Sequence, residues 1–292
     1  MDWLDTVIIA IVEGLTEFLP VSSTGHMIIT QNLLDVVPKD PKSPEAAFLN
    51  AFTFIIQFGA ILSVVCLYWK RFFQFDDTPV AEGCSLFGRL KHKYRFYWLL
   101  FVGVLPAVVI GMAAKKSGLL DWMLKSVWVV AIMLVVGGIF MLFCDRLFNK
   151  GSEANKLTEK RAFFIGLYQC ISVIPGVSRS MATIVGGMTQ GLTRQRAAEF
   201  SFFLAVPTMA GATILNVYGL LKDYGTTWLT AQNITTLLIG CLVAFIVALL
   251  AMKWFVAFLT KYGFKAFGYY RIVVGGIIII LLLTGHSLAM VD

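Results

Sequence analysis

Six uncharged stretches of 19 to 29 residues dominate this chain of 292 residues. They are 46–69, 96–114, 126–144, 200–221, 224–252 and 272–291. About 20 consecutive apolar residues cross the hydrocarbon core of a bilayer as a helix, so each stretch is long enough to span a membrane. Because only 14% of the residues are charged, against roughly 25% in soluble domains, a soluble globular protein is excluded.

Two further apolar segments do not fit a count of six straight spans. Residues 1–34 carry Glu13 and Glu17 within the apolar sequence, a histidine and the turn-forming sequence Pro-Val-Ser-Ser-Thr-Gly at 20–25. Residues 161–193 carry Pro175-Gly176 and a single central arginine. A hydrophobic segment broken in its middle by proline, glycine and serine is typical of a re-entrant helical hairpin, since irregular backbone at membrane depth must be buried in protein or line a wet cavity.

The two halves of the chain resemble each other in three short motifs. Pro20-x-x-Ser23 matches Pro175-x-x-Ser178, and Phe52-Thr53-Phe54 matches Phe-Ser-Phe at 200–202. The sequence Val-Val-Gly-Gly-Ile occurs once in each half, at 135–139 and 273–277. Each half then contains one hairpin and three spans. Because three is odd, the second copy enters the membrane upside down, as an inverted-topology repeat.

The predicted fold is a single all-α polytopic membrane domain with six transmembrane helices and two re-entrant hairpins. The first repeat, 1–150, has a hairpin at 1–34 and spans at about 47–69, 96–114 and 126–146. The second repeat, 151–292, has a hairpin at 161–193 and spans at about 197–221, 234–258 and 270–289. Broken segments of inverted repeats meet near the membrane midplane, so we expect the two turns to lie together.

The basic residues are unequally distributed between the loops. If six spans alternate, the loops 70–95, 145–161, 194–196 and 261–271 share one side and carry 16 Lys and Arg, whereas the other side carries 6. The positive-inside rule places the richer side in the cytoplasm, so both termini and the first hairpin open outward. Membrane topology explains the net charge of +7, and no nucleic-acid partner is expected.

Two carboxylates precede the first break. Glu13 and Glu17 are four residues apart, so on a helix both carboxylates share one face. Acidic residues inside a membrane are costly and mark function. The pair either binds a cation or keeps a proton on one member.

Three hydroxyl residues and a histidine follow: Ser22, Ser23, Thr24 and His26. Hydroxyls after a break also cap helices, so taken alone they do not indicate catalysis. His26 favours catalysis, because imidazole titrates near neutrality and can move protons.

The second break is the sharpest feature of the sequence. Residues 175–183 read Pro-Gly-Val-Ser-Arg-Ser-Met-Ala-Thr. A turn that opens a helix with hydroxyls and the guanidinium of Arg179 offers an anion site, above all for phosphate. An anion site facing a carboxylate pair that holds Mg²⁺ or Ca²⁺ is suited to a diphosphate, whose charge must be neutralised before phosphorus is attacked.

With these motifs the sequence resembles the bacterial undecaprenyl-diphosphate phosphatase family, also known through bacitracin resistance. Residues 13–26 reproduce the family's E/Q-x-x-x-E motif and its Ser-Ser-Thr-x-His turn, and 175–183 reproduce its P-G-x-S-R-S-x-x-T motif. The similarity extends over the whole chain, including 199–207. Met181 departs from the family's usual glycine, a change that bears on packing behind Arg179 and leaves every polar position in place.

The resemblance implies hydrolysis of undecaprenyl diphosphate to undecaprenyl phosphate and inorganic phosphate. This reaction recycles the lipid carrier for peptidoglycan and cell-wall synthesis, and so supports cell shape and bacitracin resistance. The implied location is the bacterial cytoplasmic (inner) membrane, among membrane lipids, with the site facing the periplasm or cell exterior. Association as a homodimer is left open.

The resemblance also implies roles for individual residues. Arg179 clamps the diphosphate, Ser23 is the expected nucleophile and His26 its base, while attack by His26 itself or by activated water stays open. Glu13 and Glu17 hold a divalent cation, Mg²⁺ or Ca²⁺, or shuttle a proton. Further substrate contacts come from five hydroxyl residues: Ser22, Thr24, Ser178, Ser180 and Thr183.

A transporter is the alternative function. Broken helices in inverted repeats also build secondary transporters, and the same anion site could move a phosphate-bearing lipid without cleaving it.

Overall fold

The protein is built from α-helices throughout the part of the chain that its computed structural model describes, which is residues 1–76, 78, 85–118, 123, 126–286 and 288. In chain order the helices are α1 Trp3–Thr16, α2 Ser23–Leu33, α3 Pro44–Leu67, α4 Trp69–Phe73, α5 Leu86–Lys93, α6 Arg95–Lys116, α7 Val127–Phe148, α8 Glu159–Ile171, α9 Arg179–Thr189, α10 Arg194–Tyr224, α11 Ala231–Tyr262 and α12 Lys265–Leu283.

Six of these helices, α3, α6, α7, α10, α11 and α12, are long and apolar enough to cross a membrane. This confirms the prediction of an all-α chain with six candidate membrane-spanning helices. Lys125, which was counted among the loop charges, and residue 289, the predicted end of the last span, lie outside the described residues.

Most of the helices begin where the sequence supplies a side-chain cap. Seven hydroxyl residues accept a hydrogen bond from the backbone N–H three positions later: Ser43, Ser85, Ser126, Thr158, Ser178, Thr193 and Thr230. Each cap satisfies one of the N–H groups that a helix leaves unpaired at its start. The caps therefore help to define where the long helices begin.

Two pairs of helices, α1 with α2 and α8 with α9, are too short to cross a bilayer singly. They contain 11 to 14 residues each, or roughly 16–21 Å at the α-helical rise, against about 30 Å of hydrocarbon. The second helix of each pair follows a serine with a left-handed backbone, Ser22 at φ 69° and Ser178 at φ 77°. This conformation is strained for a residue other than glycine. It makes Ser22, and not Ser23, the structural counterpart of Ser178.

An aromatic core joins the first break to the second half of the chain. Phe18, just after α1, packs edge-to-face on Phe202 of α10, with 5.4 Å between ring centroids. Phe255 of α11 lies 6.1 Å from Phe202 and 5.4 Å from Phe267 of α12. All four rings are buried. The first turn is therefore held in the interior of the helix assembly.

Helices α7 and α12 approach closely because glycines line their contact. A Cβ atom on Gly138 would lie only 2.8 Å from the carbonyl oxygen of Gly268, and one on Gly137 would collide with the guanidinium of Arg271. Arg271 lies inside α12 and is fully buried. This corrects its assignment to the loop 261–271. Without Arg271 in the loop count, the richer side carries 15 basic residues and the other side 6.

Candidate active site

Arg271 ties the two broken turns to each other and to α7. Its guanidinium donates hydrogen bonds to five backbone carbonyl oxygens, those of Pro20 (3.2 Å), Gly176 (2.7 Å), Val177 (3.0 Å), Met133 (3.0 Å) and Leu134 (3.3 Å). Among the described residues it has no carboxylate partner. The carbonyl dipoles therefore solvate this buried cation, and in return the cation holds both turns in place.

A second link joins the turns through Ser180. Its hydroxyl donates a 2.8 Å hydrogen bond to the carbonyl of Leu19 and lies 3.0 Å from the hydroxyl of Ser178. The guanidinium of Arg179 also lies over the ring of Phe18, 5.8 Å from its centroid. The two turns, about 160 positions apart in the sequence, therefore form one site.

Arg179 and Glu17 form an ion pair across this junction. Nη2 of Arg179 lies 3.2 Å from Oε1 of Glu17, and the two side chains are only 12% and 7% exposed. Nη1 donates a 3.0 Å hydrogen bond to the carbonyl of Ser201 in α10. Because water has little access, the attraction between the charges is screened less than at a surface.

Ser23 shares the same carboxylate. Its Oγ donates a 2.7 Å hydrogen bond to Oε2 of Glu17. Glu17 thus contacts Arg179 through one oxygen and Ser23 through the other. Both Ser23 and Arg179 remain partly accessible, so a ligand could reach the hydroxyl and the guanidinium together.

Glu13 lies one helical turn before Glu17 and is fully buried. When both acids are ionised, no hydrogen-bond donor reaches either carboxylate oxygen of Glu13, whereas the side chain of Glu17 is close enough to share a hydrogen bond with it when one of the two acids holds a proton. A buried carboxylate without a partner is costly. The described residues contain no group of three or more His, Cys, Asp or Glu side chains placed to hold a metal. Glu13 and Glu17 are thus two candidate protein ligands for a cation.

His26 is oriented by contacts that do not include Ser23. Nδ1 lies 2.8 Å from the carbonyl oxygen of Ser22, and Nε2 lies 2.7 Å from the hydroxyl of Tyr270. A carbonyl can only accept, so Nδ1 carries the proton, and in the neutral ring Nε2 accepts from the phenol. The expected pairing of Ser23 with His26 is not present. The group hydrogen-bonded to the hydroxyl of Ser23 is instead the carboxylate of Glu17.

Thr183 lies behind Arg179. It is fully buried, and its hydroxyl donates to the carbonyl of Arg179 at 2.8 Å and lies 2.6 Å from the hydroxyl of Ser201. Ser178 caps α9 by accepting from the N–H of Met181 at 3.4 Å. These hydroxyls hold the arginine and its helix, whereas Thr24 is partly exposed.

Three residues at the site were missed in the sequence. Tyr270 and Arg271 precede the last uncharged stretch and were assigned to a loop and to the edge of a span. Ser201 belongs to the Phe-Ser-Phe motif that indicated the repeat, but that match gave it no role. Only the placement of α10 and α12 against the turns reveals these contacts.

Known proteins match this chain over nearly its whole length. The family model described as bacitracin resistance protein BacA covers residues 6–277. An undecaprenyl-diphosphatase of Porphyromonas gingivalis strain W83 is 54% identical over 291 residues, 99% of this chain and 100% of the relative. Proteins of the same name from Flavobacterium psychrophilum and Bdellovibrio bacteriovorus are 49% and 47% identical, with 100% of both chains covered. The chain therefore belongs to the bacitracin resistance protein BacA family.

Proposed function

We propose that this protein hydrolyses undecaprenyl diphosphate to undecaprenyl phosphate and inorganic phosphate, which recycles the lipid carrier for peptidoglycan and cell-wall polymer synthesis. The full-length relatives are named undecaprenyl-diphosphatases, and the family is named for bacitracin resistance. One observation carries most weight: Glu17, Ser23 and Arg179 come from two distant turns and meet in one partly accessible cluster.

Arg179 binds the diphosphate. Its planar guanidinium offers paired N–H donors that match phosphate oxygens, as a lysine would not. Nη1 stays tied to Ser201, and the substrate would replace Glu17 at Nη2. The start of α9, where Arg179 lies, adds backbone N–H groups and the positive end of a helix dipole.

Ser23 is the nucleophile and Glu17 its base. Oε2 of Glu17 already accepts the hydrogen bond of Oγ, so the proton passes to Glu17 as Oγ bonds to the terminal phosphorus. The bond from that phosphorus to the bridging oxygen breaks, and undecaprenyl phosphate leaves. Water then attacks the phosphoserine. Oγ leaves with the proton from Glu17, and both protons of the water stay on the released phosphate as H₂PO₄⁻.

His26 positions the turn that carries the nucleophile. Its Nδ1–H donates to the carbonyl of Ser22, the residue directly before Ser23. Activation of water by Nε2 stays a second role, and it requires that the hydroxyl of Tyr270 first moves away.

Glu13 and Glu17 would hold a divalent cation, Mg²⁺ or Ca²⁺. The two orphaned oxygens of Glu13 fit a hard cation, which prefers carboxylate ligands. When bound, the cation would neutralise charge on the diphosphate. Ser22, Thr24, Ser178, Ser180 and Thr183 complete the proposed binding site, by direct contact or by holding its two turns.

We also propose that the chain consists of two inverted repeats, 1–150 and 151–292, in one membrane domain. The helix contacts of the two halves match each other. α1 in the first half packs against α11 of the second half, and its counterpart α8 packs against α6 of the first half. The other equivalent spans pack on each other directly, α3 on α10 and α7 on α12. The matched strain at Ser22 and Ser178 supports the same relation. In this architecture 1–34 and 161–193 are re-entrant hairpins whose turns meet at membrane depth.

The proposed location is the bacterial cytoplasmic (inner) membrane, with the site open to the periplasm or cell exterior. The remaining bias of 15 basic residues to 6 still favours both termini outside. On that side the diphosphate carrier is left once its sugar cargo has been transferred. Association as a homodimer stays a prediction.

Phosphate release from undecaprenyl diphosphate by the purified protein in detergent tests this function. A phosphatase releases phosphate in step with substrate loss and without any gradient. A transporter or flippase of the phosphate-bearing lipid, the alternative that the broken helices also suit, releases none.

A further inference from the structure

A second cleft opens at the end of the molecule where α3 ends and where α6 and α10 begin. Its volume is about 560 Å³. It shares no residue with the cluster of Glu17, Ser23 and Arg179. Because the ends of three membrane-spanning candidates border it, the cleft lies at the level of a membrane–water interface.

The wall of this cleft is strongly basic. It includes five cationic residues: Arg71, Lys93, Arg95, Lys156 and Arg196. Among the described residues, two acidic ones, Asp76 and Glu199, line the same space. The excess positive charge favours an anionic ligand.

The cationic groups differ in how far the protein already uses them. Arg196 pairs with Glu153 at 2.7 Å and donates to the carbonyl of Asn155 at 3.0 Å. Arg95 makes a long contact of 3.4 Å to a carbonyl oxygen. Arg71 and Lys156 are exposed, and within the described residues their charged groups make no ion pair or hydrogen bond. They are the groups most available to a ligand.

The floor of the cleft is apolar. Leu99, Phe200 and Phe203 are at most 7% exposed yet line the space, and Phe96 packs edge-to-face on Phe203 at 5.2 Å. A free inorganic anion would gain nothing from this floor. An amphiphile would place its charged group on the wall and its hydrocarbon on the floor.

We propose that this cleft binds the phosphate headgroup of an anionic phospholipid from the surrounding membrane. Basic pockets between membrane-spanning helices are suited to such headgroups, and the site is separate from the substrate site. The bound lipid adds a contact between the ends of α3, α6 and α10, and takes no part in the reaction.

Native mass spectrometry of the full-length protein with phosphatidylglycerol, phosphatidylcholine or inorganic phosphate tests the site. The variant is Arg71→Gln with Lys156→Gln, and the control is Arg89→Gln with Lys265→Gln, which removes the same charges at exposed positions outside the cleft. We expect the wild type and the control to retain phosphatidylglycerol and little phosphatidylcholine. The variant should bind phosphatidylglycerol about 25-fold more weakly, since each of the two basic residues near a charged lipid contributes roughly a factor of five.

Phosphate release should stay at the wild-type rate in both proteins, which shows that the variant is folded. Equal retention of phosphatidylglycerol by variant and control would overturn the inference. Displacement of the lipid by inorganic phosphate at matched concentration would overturn it too, because the cleft would then select the anion alone.

Discussion

The hydroxyl of Ser23 donates a 2.7 Å hydrogen bond to Oε2 of Glu17. Ser23 is the first residue of α2 and Glu17 directly follows α1, so the break between these helices creates the contact. The other oxygen of Glu17 faces Arg179, 3.2 Å away. The proposed nucleophile, base and phosphate-binding cation therefore follow one another in a continuous row of contacts.

Ser23→Ala should abolish turnover, because Ser23 is the one hydroxyl among the described residues that is bonded to Glu17. A loss on the order of 10³-fold is expected in initial rates of phosphate release, with no trapped phosphoenzyme.

His26→Ala should leave slow turnover that rises with pH, since Glu17 still holds Ser23 and hydroxide can replace water. Ser152→Ala, at an exposed serine, is the control. A phosphohistidine at His26 in an active Ser23→Ala enzyme would reverse the two roles.

Arg271→Met should destabilise the fold rather than act on chemistry alone. Five carbonyl oxygens would lose their donor, and we expect a cost of about 3 kcal/mol in the free energy of unfolding. The stability of Arg271→Lys should lie between those of the wild type and Arg271→Met, because an ammonium group reaches fewer of these carbonyl oxygens. Thermal unfolding in detergent measures the effect, with exposed Arg89→Met as control. An unchanged midpoint in Arg271→Met would show that the clamp is dispensable.

The metal prediction concerns Glu13 and Glu17. EDTA should abolish phosphate release, and Mg²⁺ or Ca²⁺ should restore it, because hard cations prefer carboxylate oxygens. Glu13→Gln should raise the cation concentration needed for half-maximal rate, since one of the two carboxylates is lost. Full activity in EDTA would contradict the cation and leave proton transfer as the only role of Glu13 and Glu17.

The orientation in the membrane can be read by cysteine labelling in a background without the five native cysteines. Ser43 caps α3, so a cysteine there would disturb the helix. The exposed residue Pro41 is therefore used as the labelling position outside the membrane, and the exposed residue Glu153 as the position on the cytoplasmic side. An impermeant maleimide on intact cells should label Pro41→Cys and spare Glu153→Cys. The opposite pattern would move the site to the cytoplasmic side.

The six long helices could be predicted from sequence because bilayer thickness sets the length of an apolar helix. Their exact ends could not, since a helix can continue past the hydrocarbon core and carry charged residues near an interface. α10 runs over Arg194–Tyr224 against a predicted span at about 197–221, and α11 runs over Ala231–Tyr262 against a predicted span at about 234–258. The predicted meeting of the two breaks appears as the contact of Ser180 with Leu19.

The finer chemistry of the site depends on contacts that no local pattern encodes. Arg271 directly precedes the uncharged stretch 272–291 and was therefore taken for a loop residue, yet carbonyl oxygens from both turns stabilise it in the interior. The base of Ser23 was expected at His26, three residues away on the same helix. The turn instead brings the carboxylate of Glu17 to Ser23, while Nε2 of His26 is hydrogen-bonded to the hydroxyl of Tyr270 in α12.

A double-mutant cycle on Glu17 and Arg179 tests the central claim most directly, that two distant turns form one hydrolytic site. The measurement is the rate of phosphate release from undecaprenyl diphosphate by wild type, Glu17→Gln, Arg179→Lys and the double variant. Each single change should lower the rate by about tenfold or more, through loss of the base or of the planar phosphate clamp. Residues that act as one unit are not additive, so the double variant should be little slower than the slower single variant. Losses that multiply, or near wild-type rates in both single variants, would contradict a shared site.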